Sequence, residues 1–184
     1  MKDAERTPAG EALTDLILSL FRVNNLTLAW GDRLVGPLGL TSARWQILGA
    51  IVFADRPQPV AWLARDLGAN RQNVQRIVND LAEEALVVFE PNPHHRRAQL
   101  VVLTDKGRHT YDAAIRAYNP RANALAKGLP ISDIDAARRV MAALRAKLES
   151  DDGDKGRRPQ PKEKRGQTES GPLVGVNRSV SRSR

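Results

Sequence analysis

Polar side chains of the kinds that contact DNA bases and phosphates are concentrated in one stretch of the sequence, residues 70–85. Asparagine and glutamine present paired donor and acceptor groups to base edges, and arginine binds guanine or phosphate. The apolar residues of the stretch recur with the spacing of a helix that buries one face, so the polar residues occupy the other face. The apolar set is Val74, Ile77, Val78, Leu81 and Ala85, and the polar set is Arg71, Gln72, Asn73, Gln75, Arg76 and Asn79.

The order of charges along this helix is unusual. Arg71 and Arg76 precede Asp80, Glu83 and Glu84, although the helix dipole favours acids in the first turn and bases in the last by a few tenths of a kcal/mol per charge. A polyanion bound at the N-terminal half would explain the inversion. An ordinary surface helix with a solvated polar face remains the alternative.

The preceding residues predict a helix-turn-helix. Residues 59–67 form a short helical pattern that begins at Pro59 and ends before Gly68, a residue suited to a left-handed cap. Asn70 then suits the N-cap of the polar helix. Two helices joined by a short turn, with the polar residues on the second helix, are typical of DNA-binding proteins.

The following residues predict a β-hairpin with a basic tip. The β-branched segments 86–90 and 99–103 flank a turn-forming segment, residues 91–98, that contains Arg96 and Arg97. Two arginines at a hairpin tip suit a narrow minor groove, where the negative potential is strongest.

Helical patterns account for most of the remaining chain, over residues 11–35, 41–53, 104–118 and 132–148. We expect Thr41 or Ser42, Thr104 and the Ser132–Asp133 pair to begin three of these helices. Asn119–Pro120 should kink or stop the third, because proline lacks the amide donor. The first helix has more apolar surface than one small domain can cover, which predicts a partner chain.

Composition limits the class of protein. At 184 residues and 41% hydrophobic content the chain can form one core, and its net charge of +8 favours an anionic partner. Aromatic residues are only 4%, too few for single-strand stacking platforms. Cysteine is absent, which excludes disulfides and thiol chemistry. We find neither a membrane-spanning apolar run nor a signal peptide, and expect a cytoplasmic protein.

The two ends of the chain differ from the rest. Residues 1–10 suggest a flexible N-terminus. Residues 149–184 are rich in Gly, Pro, Ser and charge, and predict a disordered basic tail. The tail contributes either a weak DNA-binding arm or only solubility.

Catalysis and metal binding find no support in the sequence. No paired catalytic carboxylates, phosphate-binding glycine loop or Ser/His/Asp set is recognisable, so we predict that the protein is not an enzyme. His94 and His95 adjoin on a turn and His109 follows in the next helix, a spacing that does not favour one metal ion. We expect no cofactor.

Four linked motifs resemble those of the MarR family of winged helix-turn-helix regulators. They are the LTSARWQIL segment at residues 40–48, the polar helix from Asn70, the NPHHRRA hairpin tip at residues 92–98, and LTDKG at residues 103–107. The resemblance covers residues 11–148. It implies a mainly α fold with a small β-hairpin wing, in which residues 41–103 bind DNA and residues 11–35 and 104–148 form dimerisation helices.

The resemblance also implies function. It implies a homodimeric transcriptional regulator, a repressor, that binds double-stranded DNA at a two-fold operator. Asn70 and the polar helix face would read the major groove, and Arg96 and Arg97 the minor groove. Many relatives release DNA when a small aromatic or phenolic effector enters a crevice between the dimerisation and DNA-binding parts. Candidate crevice residues, which could equally be core or dimer packing, are Trp30, Trp45, Phe53, Tyr111 and Tyr118.

Two positions depart from the family pattern. His95 replaces the Asp that usually lies two residues before the wing arginine, here Arg97, and a neutral imidazole cannot form the same ion pair. Asn70 replaces a Ser or Thr that caps equally well. A winged-helix module for protein contacts, without sequence-specific DNA binding, is the alternative function.

Overall fold

The computed structural model describes residues 5–95 and 97–155. These residues form a mainly α-helical fold with one small antiparallel sheet, which confirms the predicted fold class. A short 3₁₀ turn, Gly36–Leu38, follows the first helix. The helices are α1 (Pro8–Val35), α2 (Ser42–Phe53), α3 (Val60–Asp66), α4 (Arg71–Glu83), α5 (Asp105–Leu125) and α6 (Ile131–Lys155), and the strands are β1 (Gln58–Pro59), β2 (Val87–Glu90) and β3 (Leu100–Leu103).

Side-chain caps begin four of the helices. Thr7, Thr41, Asn70 and Thr104 each accept a hydrogen bond from a backbone amide of the first turn. Such caps satisfy amides that have no partner within the helix, and each stabilises its helix by about 1 kcal/mol. The predicted caps at residues 41, 70 and 104 are therefore confirmed.

The hairpin pairs as the sequence predicts, but a third strand joins it. In the hairpin, Val87 pairs with Leu103 and Glu90 with Leu100. Strand β1 pairs with the other edge of β3, where Gln58 faces Val101, and gives the strand order β1-β3-β2. Local patterning missed β1 because it is two residues long, and only the contact with β3, more than 40 residues later in the sequence, makes it a strand.

The hydrophobic core lies between α2, α3, α4 and the sheet. The largest fully buried side chains belong to these elements and to the end of α1. Two glycines allow the closest approaches. A Cβ on Gly107 would overlap the carbonyl oxygen of Leu86, and a Cβ on Gly31 would overlap the Ser42 hydroxyl. The predicted apolar face of α4 is buried at Val74, Ile77, Val78 and Leu81.

Several predicted helix ends were wrong. Ala85 lies beyond α4, exposed and with φ 57°, because the helix ends in a left-handed cap. Helix α5 continues through Pro120 to Leu125, so the proline does not stop it. Helix α6 begins at Ile131, so Ser132 lies inside it.

The ends of the chain are also more helical than expected. Helix α1 starts at Pro8, within the segment predicted to be flexible, and α6 extends to Lys155, into the predicted tail. The remainder of the predicted tail, residues 156–184, and residues 1–4 lie outside the described residues, and so does Arg96.

The chain divides into two compact units between Gly128 and Leu129. Helix α6 belongs to the second unit. Its predicted apolar residues remain partly or largely accessible in the single chain, with Val140 44% and Leu148 58% exposed.

Candidate functional site

The turn between α3 and α4 has a regular capped geometry. Gly68 adopts φ 62°, its amide donates to the carbonyl of Arg65, and the amide of Ala69 donates to that of Ala64. This paired arrangement is the Schellman motif that ends many helices, and it favours glycine at the left-handed position. Asn70 then begins α4 by accepting from the amides of Gln72 and Asn73. The helix-turn-helix predicted from the sequence is confirmed.

Helix α4 presents its polar residues to solvent. Its first turn contains Arg71 and no acidic residue. The positive end of the helix dipole and the Arg71 guanidinium therefore both make the electrostatic potential at the N-terminus of α4 positive. Gln75 is partly buried. The exposed members of the predicted reading face are Asn70, Arg71, Gln72, Asn73, Arg76 and Asn79.

Some of these side chains pair with one another in the free protein. Arg76 donates to the Oδ1 of Asn73 at 3.1 Å and lies 3.5 Å from the Asp80 carboxylate. Gln75 donates to the Oδ1 of Asn79 at 2.9 Å. These are exposed contacts worth a fraction of a kcal/mol each. A binding partner could therefore displace them at little cost.

Hydrogen bonds and an ion pair connect the C-terminal end of α4 to α5 and α2. The amide of Leu86 donates to the carbonyl of Leu81, and Ala85 occupies the left-handed position between them. Thr104 donates to the Ala85 carbonyl at 2.7 Å, and Lys106 donates to the Glu84 carbonyl at 2.7 Å. These contacts satisfy carbonyls that a helix end leaves without partners.

An ion pair connects the end of α4 to α2. Arg44 of α2 lies 2.6 Å from the Glu84 carboxylate and also donates to the Gly39 carbonyl. The hydrogen bond from Arg44, followed by the charges of Arg44 and Lys106, lowers the pKa of Glu84, although desolvation opposes it. Sequence reasoning missed Arg44 and Lys106, since their partners lie on other elements and no local pattern identifies them.

The wing tip is built from backbone turns. The amide of His95 donates to the Asn92 carbonyl, the amide of Ala98 donates to the His95 carbonyl, and the Asn92 side chain accepts from the amide of His94. These bonds shape the tip without the acidic brace that the family pattern places at residue 95. Arg97 is exposed and makes no ion pair with any described residue.

The five predicted crevice aromatics line one cavity of about 1160 Å³ between α1, α2 and α5. The Tyr118 ring packs edge-on against the rings of Trp45 and Trp30, with centroid distances of 5.3 and 6.0 Å. Phe53 and Tyr111 form a second edge-on pair at 6.5 Å. Burial raises the pKa of Tyr111, the nearby carboxylate of Asp112 adds to the rise, and the phenol stays neutral at physiological pH.

Polar groups line the same cavity, and sequence reasoning had not identified them. They include Arg33, Asp55, Gln58 and Asp66. The Oε1 atom of Gln58 is buried and has no hydrogen-bond partner among the described residues. Each of these four groups is an ordinary surface residue type, so only the assembled cavity singles it out.

The described part of the chain contains no cluster of three or more His, Asp or Glu side chains that could hold a metal ion. None of its helices is long and apolar enough to cross a membrane.

Comparison with known proteins identifies relatives of this chain. Residues 38–98 match the family model described as MarR family. An uncharacterised protein of Mycobacterium tuberculosis is 36% identical over 140 residues, which are 74% of this chain and 96% of that protein. The transcriptional activatory protein BadR of Rhodopseudomonas palustris is 32% identical over 117 residues, 59% of this chain and 65% of BadR.

Solved structures show the same fold. The transcriptional repressor CouR bound to a 23-mer DNA duplex superposes with a TM-score of 0.64 and 25% identity, over 77% of this chain and 99% of CouR. CouR from Rhodococcus jostii bound to p-coumaroyl-CoA gives a TM-score of 0.64 and 22% identity, over 71% of this chain and 91% of that one.

Proposed function

Because this chain belongs to the MarR family of winged helix-turn-helix transcriptional regulators, we propose that it is a homodimeric, ligand-responsive repressor of a two-fold operator. The proposal rests first on the exposed polar face of α4. A capped turn joins the N-terminus of α4 to α3, and contacts from Arg44, Thr104 and Lys106 position its C-terminus.

Helix α4 would enter the major groove with its N-terminal half. Arg71 and Gln72 are the first two residues of α4 and are exposed. Their side chains make no hydrogen bond or ion pair with any described residue. They would contact DNA directly. Asn73 and Arg76 would exchange their mutual hydrogen bond for bases or phosphates, because the positive helix end favours the phosphate backbone.

The wing would contact the adjacent minor groove through Arg97, with Arg96 beside it in sequence. An exposed arginine free of ion pairs can enter a narrow groove without first losing a carboxylate partner. The contact would add affinity and depend strongly on salt.

Dimerisation would cover the apolar surface that α1 leaves exposed. Leu18, Phe21 and Leu26 are 62%, 63% and 64% exposed in the single chain. Exposed large apolar side chains on one long helix mark an interaction surface. Two copies related by a two-fold axis would place their α4 helices in successive major grooves, about 10 bp apart.

The cavity would hold a small aromatic effector. Its walls carry two edge-on aromatic clusters, and Asp66 and Leu67 at the end of α3 also line it. A ligand there would contact both the α1/α5 side and the helix-turn-helix, so binding would shift α3 and α4 and release DNA. Release of DNA by a ligand corresponds to derepression.

Selection from a randomised library of DNA duplexes, with the full chain at one near-physiological salt concentration, tests the proposal. We expect a two-fold motif whose half-sites are about 10 bp apart. Arg76→Ala should lose enrichment of the motif, whereas Arg116→Ala, which removes an exposed arginine from α5, should retain it. Failure of the wild-type chain to enrich any motif would favour a protein-interaction module instead.

A further inference from the structure

The two arginines on the exposed polar face of α4 have different surroundings. Arg71, the first residue of the helix, forms no side-chain hydrogen bond or ion pair with any described residue. Arg76 contacts side chains on both sides of it along the helix. Its Nη2 donates to the Oδ1 of Asn73 at 3.1 Å, and its Nη1 lies 3.5 Å from the Oδ2 of Asp80. The guanidinium of Arg76 is therefore oriented in the free protein, whereas that of Arg71 is not.

The Arg76 guanidinium remains available to a further partner. Its side chain is 67% exposed although it has two contacts. A guanidinium carries five N–H donors, and the contacts with Asn73 and Asp80 engage two of them. The donors that remain exceed the two that a bidentate contact with the O6 and N7 atoms of guanine requires.

Asp80 is not placed to stabilise the helix in the usual way. A base four residues before an acid is the less favourable order for a helical pair, because this order opposes the helix dipole. Asp80 makes no other ion pair with the described residues. Residues 70–79 contain no Asp or Glu, so Asp80 is the first carboxylate that follows the polar face.

A carboxylate at this position would also oppose the binding of DNA. It repels phosphates, and its pairing with Arg76 lowers the positive potential that the guanidinium offers to any phosphate. A free guanidinium binds phosphates of every sequence, whereas an oriented one can make a bidentate contact with one base. The favourable effect that Asp80 retains is therefore the orientation of Arg76.

We propose that Asp80 is a specificity-determining residue, which holds the Arg76 guanidinium for a bidentate contact with guanine and away from phosphates. The inference rests on the proposed DNA-binding role of α4 and adds a positioning residue that does not itself contact DNA. Arg71, which has no such partner, contacts phosphates of any sequence. DNA binding thereby loses overall affinity and gains base discrimination.

The position of Asp80 along the helix agrees with this role. Asp80 follows Arg76 by four residues, which places it about 6 Å further along the axis from the N-terminal half of α4. It can therefore hold the Nη1 atom of Arg76 from outside the groove. When Asn73 gives up its hydrogen bond to contact DNA, Asp80 remains a partner of Arg76.

Substitution of Asp80 by asparagine in the full-length protein tests the inference, because it removes the charge and keeps the shape. Fluorescence anisotropy across a salt series measures affinity for the selected operator, for operators with single base changes and for a random-sequence duplex. For Asp80→Asn we expect the guanine preference at one position in each half-site to fall about tenfold. Binding to the random duplex should become about threefold tighter and more dependent on salt, since Arg76 is then free to contact phosphates.

Three further variants serve as controls. Arg76→Lys keeps the charge but lacks the planar fork, so it identifies the base position that Arg76 reads. Asp80→Glu keeps a carboxylate within reach of Arg76 and should retain the guanine preference. Glu83→Gln removes the same charge from the last residue of α4, which is exposed and makes no ion pair with the described residues. It should leave the base preference unchanged.

The opposite signs of the two expected effects exclude misfolding as their cause, since partial unfolding would weaken binding to every duplex. A guanine preference that survives in Asp80→Asn, or that falls together with affinity for the random duplex, would overturn the role of Asp80 and leave the regulator function intact. A wild-type chain that selects no motif would overturn both proposals, because no base preference would exist for Asp80 to set.

Discussion

The guanidinium of Arg44, near the start of α2, lies 2.6 Å from the carboxylate of Glu84, at the end of α4. The Arg44 side chain is 15% exposed and that of Glu84 is 51% exposed, so the pair lies at the edge of the core. It connects α2, which lines the aromatic cavity, to α4, which carries the exposed polar face. The orientation of α4 therefore depends on a contact remote from the residues that we propose to contact DNA.

Stability should depend on the charge of Glu84. Because the pKa of Glu84 is lowered in the folded chain, ionised Glu84 stabilises the fold above its ordinary pKa of 4.5, and this contribution disappears as the pH falls through the lowered pKa. Urea unfolding at pH 7 and below pH 4.5 checks this. Glu84→Gln should be less stable than the wild type at pH 7 and converge on it in acid. A constant difference at all pH values would exclude the ion pair as the cause.

The left-handed cap of α4 should be improved by glycine. Ala85 adopts φ 57°, a conformation that costs a residue with a Cβ about 1 kcal/mol. Ala85→Gly should raise the free energy of unfolding by roughly that amount. Gly68→Ala, at the equivalent cap of α3 with φ 62°, is the reverse control and should lower it similarly. Destabilisation by Ala85→Gly would contradict the cap assignment.

Replacing Gly107 should disrupt the packing of α5 on the wing. An added methyl would overlap the backbone carbonyl of Leu86, which cannot rotate away, and would crowd Leu103. Overpacking of this kind costs about 1–3 kcal/mol, so Gly107→Ala should lower the melting temperature by several degrees. Gly36→Ala, where an added Cβ meets nothing within 4 Å, serves as the control and should leave it nearly unchanged.

Removal of Arg97 should weaken DNA binding without changing sequence preference. The arginine would contact phosphates or the minor groove, so Arg97→Ala should reduce affinity for operator and random DNA alike. The slope of log K against log salt should also become shallower by about one unit. Fluorescence anisotropy across a salt series measures both, and an unchanged slope would exclude Arg97 from the interface.

Replacement of Gln72 should relax sequence preference instead. Gln72 is exposed in the first turn of α4, and we propose that it reads a base edge. Gln72→Ala should therefore lose preference at one position in each half-site. The expected cost for the preferred base is about 1–3 kcal/mol. Duplex selection compared with wild type checks this, and recovery of the parental motif would argue against a base contact.

Local patterns determined the helix-turn-helix and the wing, because the physics of these elements is local. Gly68, Asn70 and Thr104 cap or end helices through atoms only a few residues away, and the apolar spacing of α4 defines its buried face without reference to other elements. The hairpin strands were likewise predictable from β-branched residues on either side of a turn.

Tertiary contacts decided the remaining features. Strand β1 exists because β3 pairs with it, and the carbonyl of Ala85 at the end of α4 accepts a hydrogen bond from Thr104, which begins α5. The unpartnered Gln58 oxygen and the Arg44–Glu84 pair each require residues from separate elements. The sequence by itself determined the capped helices and the exposed polar face of α4, since those interactions span a few residues. The structure alone decided which polar groups line the cavity and which residues contact the C-terminal end of α4, since burial and charge pairing depend on residues that meet only in the folded chain.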